Sequence, residues 1–146
     1  MKVYDILKSK GSHVHTIHQD LTVYDAVCQL VEHNIGALVV TDDQSNVVGI
    51  ISERDILRTA HKNLEQLKQI PIRDVMTRDL IVGTPEDDIE YVEKVMTVNR
   101  IRHYPIFHDG KLAGIISIGD VVKHKLTDLT VENRHLRNYI VGKYPA

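Results

Sequence analysis

The chain has 146 residues, enough for one compact domain or two small units sharing a core. Hydrophobic residues make up 42% and charged residues 26%, a globular balance that excludes disorder. The net charge of −2 argues against a duplex-DNA binder, which needs a positive excess, and no apolar run approaches the roughly 18 residues of a membrane helix.

The first residues, Met1-Lys2-Val3-Tyr4-Asp5, lack the apolar core of a signal peptide, so a cytoplasmic location is expected. A first strand is expected ahead of Thr22. Thr22 can cap a helix with Asp25 three residues on, and Val23, Ala26, Val27, Leu30 and Val31 follow helical spacing. Cys28, the one cysteine, sits among them and reads as a buried structural thiol, without the partner that an oxidising compartment would favour. Asn34 is a left-handed stop. Ala37-Leu38-Val39-Val40 and Val47-Val48-Gly49-Ile50-Ile51 flank the polar turn Asp42 to Asn46, a hairpin signal. Arg58 to Pro71 is polar and partly helical.

The same order then returns. Gly49-Ile50-Ile51-Ser52-Glu53-Arg54-Asp55-Ile56 reappears as Gly114-Ile115-Ile116-Ser117-Ile118-Gly119-Asp120-Val121. Val23, Ala26, Leu30 and Ile35 line up with Ile89, Val92, Met96 and Ile101, and the lead-in Asp5-Ile6-Leu7 with Asp74-Val75-Met76. Each copy is expected to run strand, helix, strand, hairpin, strand, helix, the second with a helix from Ile89 to Val98 and an Asp109-Gly110 turn. Pro105 implies an edge or a strand start. The boundaries follow: repeat one at 1–62, a linker at 63–70, repeat two at 71–123 and a helical tail at 124–146. Val122, Leu126, Leu129, Asn133, Leu136 and Ile140 form a short heptad seam in that tail.

The repeated Gly-Ile-Ile-Ser-x-x-Asp element resembles the signature of cystathionine-β-synthase (CBS) domains, and residues 2 to 123 resemble a tandem CBS pair, or Bateman module. The resemblance implies a mixed α/β (α+β) fold, two βαββα units meeting sheet to sheet about a pseudo-two-fold. It also implies a regulatory module, not an enzyme, that binds an adenosine-containing ligand in inter-repeat crevices and signals to a target protein. AMP, ADP or ATP is the expected ligand class, with S-adenosylmethionine or NAD, or a scaffold with vestigial crevices, as alternatives. No catalytic cofactor is expected. Homodimerisation is expected from the family and from the seam; neither a membrane nor nucleic acid is an expected partner.

Several residues carry the expected site. Ser52 and Asp55, like Ser117 and Asp120, read either as a capping box or as a helix start that offers N–H groups to an anion and a carboxylate to ribose hydroxyls. Arg102 and His103 stand where the family often faces a phosphate tail; their counterparts Gly36 and Ala37 carry no charge, and Arg54 or Lys8 could compensate. The second crevice is therefore expected to be the tighter one. Tyr104 and Pro105 continue its strand. Thr16, Ile17, Val82 and Thr84 match the strand that contacts adenine, although Val82 lacks the family's usual hydroxyl, and Ile35 and Ile101 are candidate apolar walls.

His13, His15 and His18 lie outside the family pattern. A His-x-His pair on one strand face is a recognised metal geometry, but only Asp20 stands near to complete it. No metal is expected, and an imidazole beside phosphates would instead respond to pH. Walker, Gly-x-Gly-x-x-Gly, Gly-x-Ser-x-Gly and His-Glu-x-x-His patterns are absent.

Overall fold

A computed structural model describes the backbone of residues 1–132 and the side chains through residue 127. The expected heptad seam therefore lies largely outside the described residues: of its members only Val122 and Leu126 have described side chains. The elements run α1 (Val3–Lys10), β1 (Thr16–His18), α2 (Val23–His33), β2 (Ala37–Thr41), β3 (Val47–Ser52), α3 (Glu53–Asn63), α4 (Ile89–Asn99), β4 (His103–His108), β5 (Lys111–Ser117) and α5 (Ile118–Glu132), with short 3-10 turns at Leu64–Gln66 and Ile72–Asp74. The fold is mixed α/β.

The chain divides into two compact units, and they are not the two contiguous repeats. One unit is His13–Ile81; the other joins Met1–Ser12 to the chain from Val82 onward. The lead-in of each repeat thus packs in the unit of the other repeat. Lys8, offered above as a charge for the first copy, lies in the unit of the second. Helix α5 also crosses residue 124 without a break, so the expected tail begins as a continuation of the last helix of repeat two.

In the His13–Ile81 unit, β2 is the middle strand, parallel to β1 (Thr16 beside Val39) and antiparallel to β3 (Leu38 beside Ile51). A central strand covered on both faces needs no polar alternation, and Ala37 to Val40 are all buried. Helix α2 starts as its sequence requires: the Thr22 hydroxyl accepts from the Asp25 N–H, and the Asp25 carboxylate accepts from the Thr22 N–H at 2.9 Å. It ends on Asn34 in the left-handed conformation, φ 53°. Ile17, Ala26, Leu30, Leu38, Val40, Ile51, Ile72 and Met76 form the core.

Two expectations for α2 fail on helical geometry. Val23, Ala26 and Leu30 face inward, which turns Cys28, two residues past Ala26, to the outside. Cys28 is exposed, not a buried thiol, and Val31 is 76% exposed.

In the other unit, β4 and β5 pair antiparallel, His103 beside Ser117 and Ile106 beside Gly114. The turn between them has Asp109 at φ 51° and Gly110 at φ 76°, as a two-residue hairpin turn demands. Both hairpins carry a register shift at the same point, after Val40 and after Ile106. The first strand of copy two does not form. Only Gly83 pairs with Ile106, donating to the Pro105 carbonyl and accepting from the Phe107 N–H, each at 2.9 Å. The ladder stops there because the Thr84 N–H is held by the Asp87 carboxylate at 3.0 Å and Pro85 has no N–H to give.

Tyr104 is buried, and its ring lies so close to Gly83 that a Cβ there would stand 2.8 Å from Cζ. Burial first, then the neighbouring Asp87 and Tyr91, push its phenol up to about 12. A raised phenol favours the native state below the unfolded value of 10.0, and this contribution is lost as pH rises through the folded one. A tyrosine absorbance titration should show one late component near pH 12 that Tyr104→Phe removes.

Candidate functional site

One end of the three-stranded sheet gathers most of the expected contacts of copy one. The parallel pairing of β1 and β2 and the antiparallel pairing of β2 and β3 bring the start of β1, the start of β2 and the end of β3 together. Ala37 pairs with Ser52, and the Gly36 carbonyl accepts from the Glu53 N–H at 3.0 Å. Thr16 is exposed there, Ile17 is buried in the core and Ile35 packs against it.

Copy two repeats the arrangement. His103 pairs with Ser117, and the Arg102 carbonyl accepts from the Ile118 N–H at 2.8 Å. The cationic strand start therefore lies directly across from the Ser-x-x-Asp turn. Arg102 is exposed; His103 and Ile101 are half-buried. Tyr104 and Pro105 are buried, so a ligand could meet them only at the backbone, whereas Val82 and Thr84 are exposed. The Thr84 hydroxyl donates to Asp87 at 3.1 Å.

Both Ser-x-x-Asp turns are capping boxes. The Asp55 carboxylate accepts from the Ser52 N–H at 2.9 Å and from its hydroxyl at 3.1 Å, while the Ser52 hydroxyl oxygen accepts from the Asp55 N–H. Asp120 accepts from the Ser117 N–H at 2.8 Å, and Ser117 Oγ accepts from the Asp120 N–H at 3.1 Å. The outer face of each carboxylate differs. The Thr77 hydroxyl donates to Asp55 at 3.3 Å, and the Lys10 ammonium donates to Asp120 at 2.6 Å and to the Ile115 carbonyl at 2.9 Å. Sequence reasoning missed both partners because each comes from the lead-in of the other repeat.

Burial pushes the Asp120 carboxyl up, but the hydrogen bonds from Lys10 and the Ser117 backbone outweigh it and hold the group below its ordinary value. A depressed carboxylate stabilises the fold above the unfolded value of 3.8, and that contribution is lost as pH falls through the lower folded value. Denaturant midpoints of the wild type and Lys10→Met should therefore differ at neutral pH and converge in acid.

The histidines gather more closely than their sequence suggests. His15 stacks on His33 with centroids 4.0 Å apart, and His13 meets His15 edge-on at 4.7 Å. Burial, then His33 and His13, lowers the His15 pKa. His18 Nε2 lies 2.6 Å from Asp43 Oδ1, and its Nδ1 accepts from the Asp20 N–H at 3.1 Å. His18, Asp20 and Asp43 are near enough to share a metal ion, yet Arg73 is already bonded to the Asp20 carboxylate and both His18 nitrogens are engaged. That donor set fits a charge network better than a cation.

The CBS domain family model matches residues 3–62 and again 72–127. The chain belongs to the CBS domain family. Its two CBS repeats make it a tandem pair. The "CBS domain-containing protein CBSX3, mitochondrial" of Arabidopsis thaliana is 39% identical over 97% of this chain and 73% of its own length. The crystal structure of the CBS-domain containing protein ATU1752 from Agrobacterium tumefaciens superposes with TM-score 0.84 at 37% identity, covering 86% of this chain and 99% of that one. The CBS domain pair of protein MJ0100, solved with 5′-methylthioadenosine and S-adenosyl-L-methionine, gives TM-score 0.74 at 27% identity over 84% of this chain and 98% of that one. Among the described residues no helix is long and apolar enough to cross a membrane.

Proposed function

We propose that this CBS pair is a regulatory module, without a reaction of its own, that binds an adenosine-containing ligand of the AMP, ADP or ATP class and passes its state to a target protein. The observation that carries the reading is the repeated carboxylate: Asp55 and Asp120 each stand in the first turn of a helix, opposite the start of the preceding hairpin strand. There a carboxylate can accept both hydroxyls of a ribose while the positive end of the helix dipole favours an anion nearby. Arg102 and His103 are the proposed phosphate contacts, and Ser52 and Ser117 hold the turns. Thr16, Val82 and Thr84 are the proposed adenine contacts, with Ile35, Gly36, Ala37, Arg54 and Ile101 around them.

The MJ0100 complex favours a second reading, in which the ligand is S-adenosylmethionine or methylthioadenosine. A thermal-shift panel of AMP, ADP, ATP, NAD, S-adenosylmethionine and methylthioadenosine separates the two, since a ligand that binds only the native state raises the melting temperature. Arg102→Ala should weaken AMP by about 1 kcal/mol, roughly fivefold, because the side chain is exposed and screened. Adenosine should be unaffected. Equal losses for AMP and adenosine would make Arg102 structural.

Homodimerisation belongs to the same reading. Leu57 in α3 and Val122 in α5 occupy equivalent repeat positions and are 72% and 49% exposed, apolar surface that a second copy would cover. Sedimentation should give a dimer, and Leu57→Glu should shift it towards monomer. A cytoplasmic location is proposed from the lone free thiol, although the plant relative's name says mitochondrial.

A further inference from the structure

We propose that Lys10 sets the ligand class of the unit built on the second repeat, admitting adenosine compounds that bring an anionic group and selecting against neutral or cationic ones. The inference rests on the adenosine reading and goes beyond it by naming a residue that discriminates.

The ion pair between Lys10 Nζ and Asp120 Oδ2 is partly withdrawn from water, with the two side chains 34% and 21% exposed. Lys10 and the Ser117 N–H both bond Oδ2 of Asp120, so a ribose hydroxyl that takes this oxygen displaces the ammonium. An ammonium that has lost its counter-ion at a half-desolvated place is costly. A phosphate on the incoming ligand supplies a new one, and the flexible stem of a lysine lets its point charge follow. Adenosine and methylthioadenosine offer no anion, and S-adenosylmethionine sets its one carboxylate against both a sulfonium and an ammonium, a net positive charge. The free energy of releasing Lys10 is therefore returned only by an anionic ligand.

In the unit of the first repeat no such ion pair stands among the described residues. Its carboxylate, Asp55, is met by the neutral Thr77 hydroxyl at 3.3 Å, which can turn aside without leaving a charge behind. The difference is written in the lead-ins. Asp74-Val75-Met76 is followed at once by Thr77, whereas Asp5-Ile6-Leu7 continues as helix to Lys10. That last turn carries the ammonium to Ile115 and Asp120.

The test is isothermal titration of AMP, adenosine and 5′-methylthioadenosine into the full chain carrying Asp55→Asn, which silences the other carboxylate. With Lys10 intact, AMP should bind at least tenfold more tightly than either neutral compound. Lys10→Met should reduce that preference at least fivefold, mainly by weakening AMP, while adenosine binds equally or more tightly. Lys10→Arg should keep the preference. Equal affinities for AMP and methylthioadenosine with Lys10 intact, or parallel losses for all three in Lys10→Met, overturn the inference while leaving the adenosine reading in place. The first comparison needs no Lys10 variant, so a misfolded Lys10→Met cannot obscure the result. No binding of any adenosine compound to the wild-type chain removes the adenosine reading itself.

Discussion

A methyl group added at position 49 is expected to lower stability by about 1–3 kcal/mol, the usual cost of overpacking a filled interior. A Cβ on Gly49 would stand 2.7 Å from the Thr77 carbonyl oxygen and 2.9 Å from Met76 Sδ. The first of these is backbone and cannot swing away. It belongs to the bridge in which Ile50 and Thr77 exchange N–H to carbonyl bonds of 3.0 and 2.8 Å. The gain of roughly 0.4–1 kcal/mol from a stiffer unfolded chain offsets only part of the strain. Because Thr77 also bonds Asp55, Gly49→Ala should disturb the ligand site of the same unit. The equivalent Gly114→Ala should cost less, since its new Cβ meets Leu7 Cδ2 at 2.6 Å, the far end of a flexible side chain. Paired thermal melts check the order; a larger loss in Gly114→Ala contradicts it.

Asp120→Ala is expected to weaken AMP by about 1.5–3 kcal/mol, some ten- to 150-fold, the range for losing hydrogen bonds to a charged acceptor. The substitution also removes the carboxylate that caps α5, so a stability loss of about 0.5–2 kcal/mol accompanies it. Affinity and stability must therefore be read separately. Deoxyribose analogues do so, because they should lose part of the same affinity on the wild type and little more on the variant. Asp55→Ala should act in the same way on the other unit, with a smaller effect on the tighter site. Unchanged AMP affinity in Asp120→Ala removes that residue from the site.

Local chemistry was legible in the sequence. Thr22 and Asp25, Ser52 and Asp55, and Ser117 and Asp120 close the boxes that their spacing announces, because a cap depends on residues three apart and little else. Asn34 and the Asp109-Gly110 turn are equally local. Long-range pairing was not legible. Nothing in Lys10 or Thr77 says that its partner is a carboxylate belonging to the other repeat, and nothing in His33 says that it stacks on His15. The missing first strand of copy two turns on Thr84, whose N–H goes to Asp87 instead of to a ladder. Cys28 shows the limit of helical patterning: an apolar neighbourhood in sequence does not identify which side of the helix turns inward.

Equilibrium dialysis of labelled AMP against the full wild-type chain and the Asp55→Ala/Asp120→Ala double variant tests the central claim most directly. The account predicts saturable retention by the wild type and its near-complete loss in a double variant that still melts cooperatively. Retention that is undiminished in the folded double variant, or no retention of AMP or any other adenosine compound at millimolar concentration by the wild type, would contradict it.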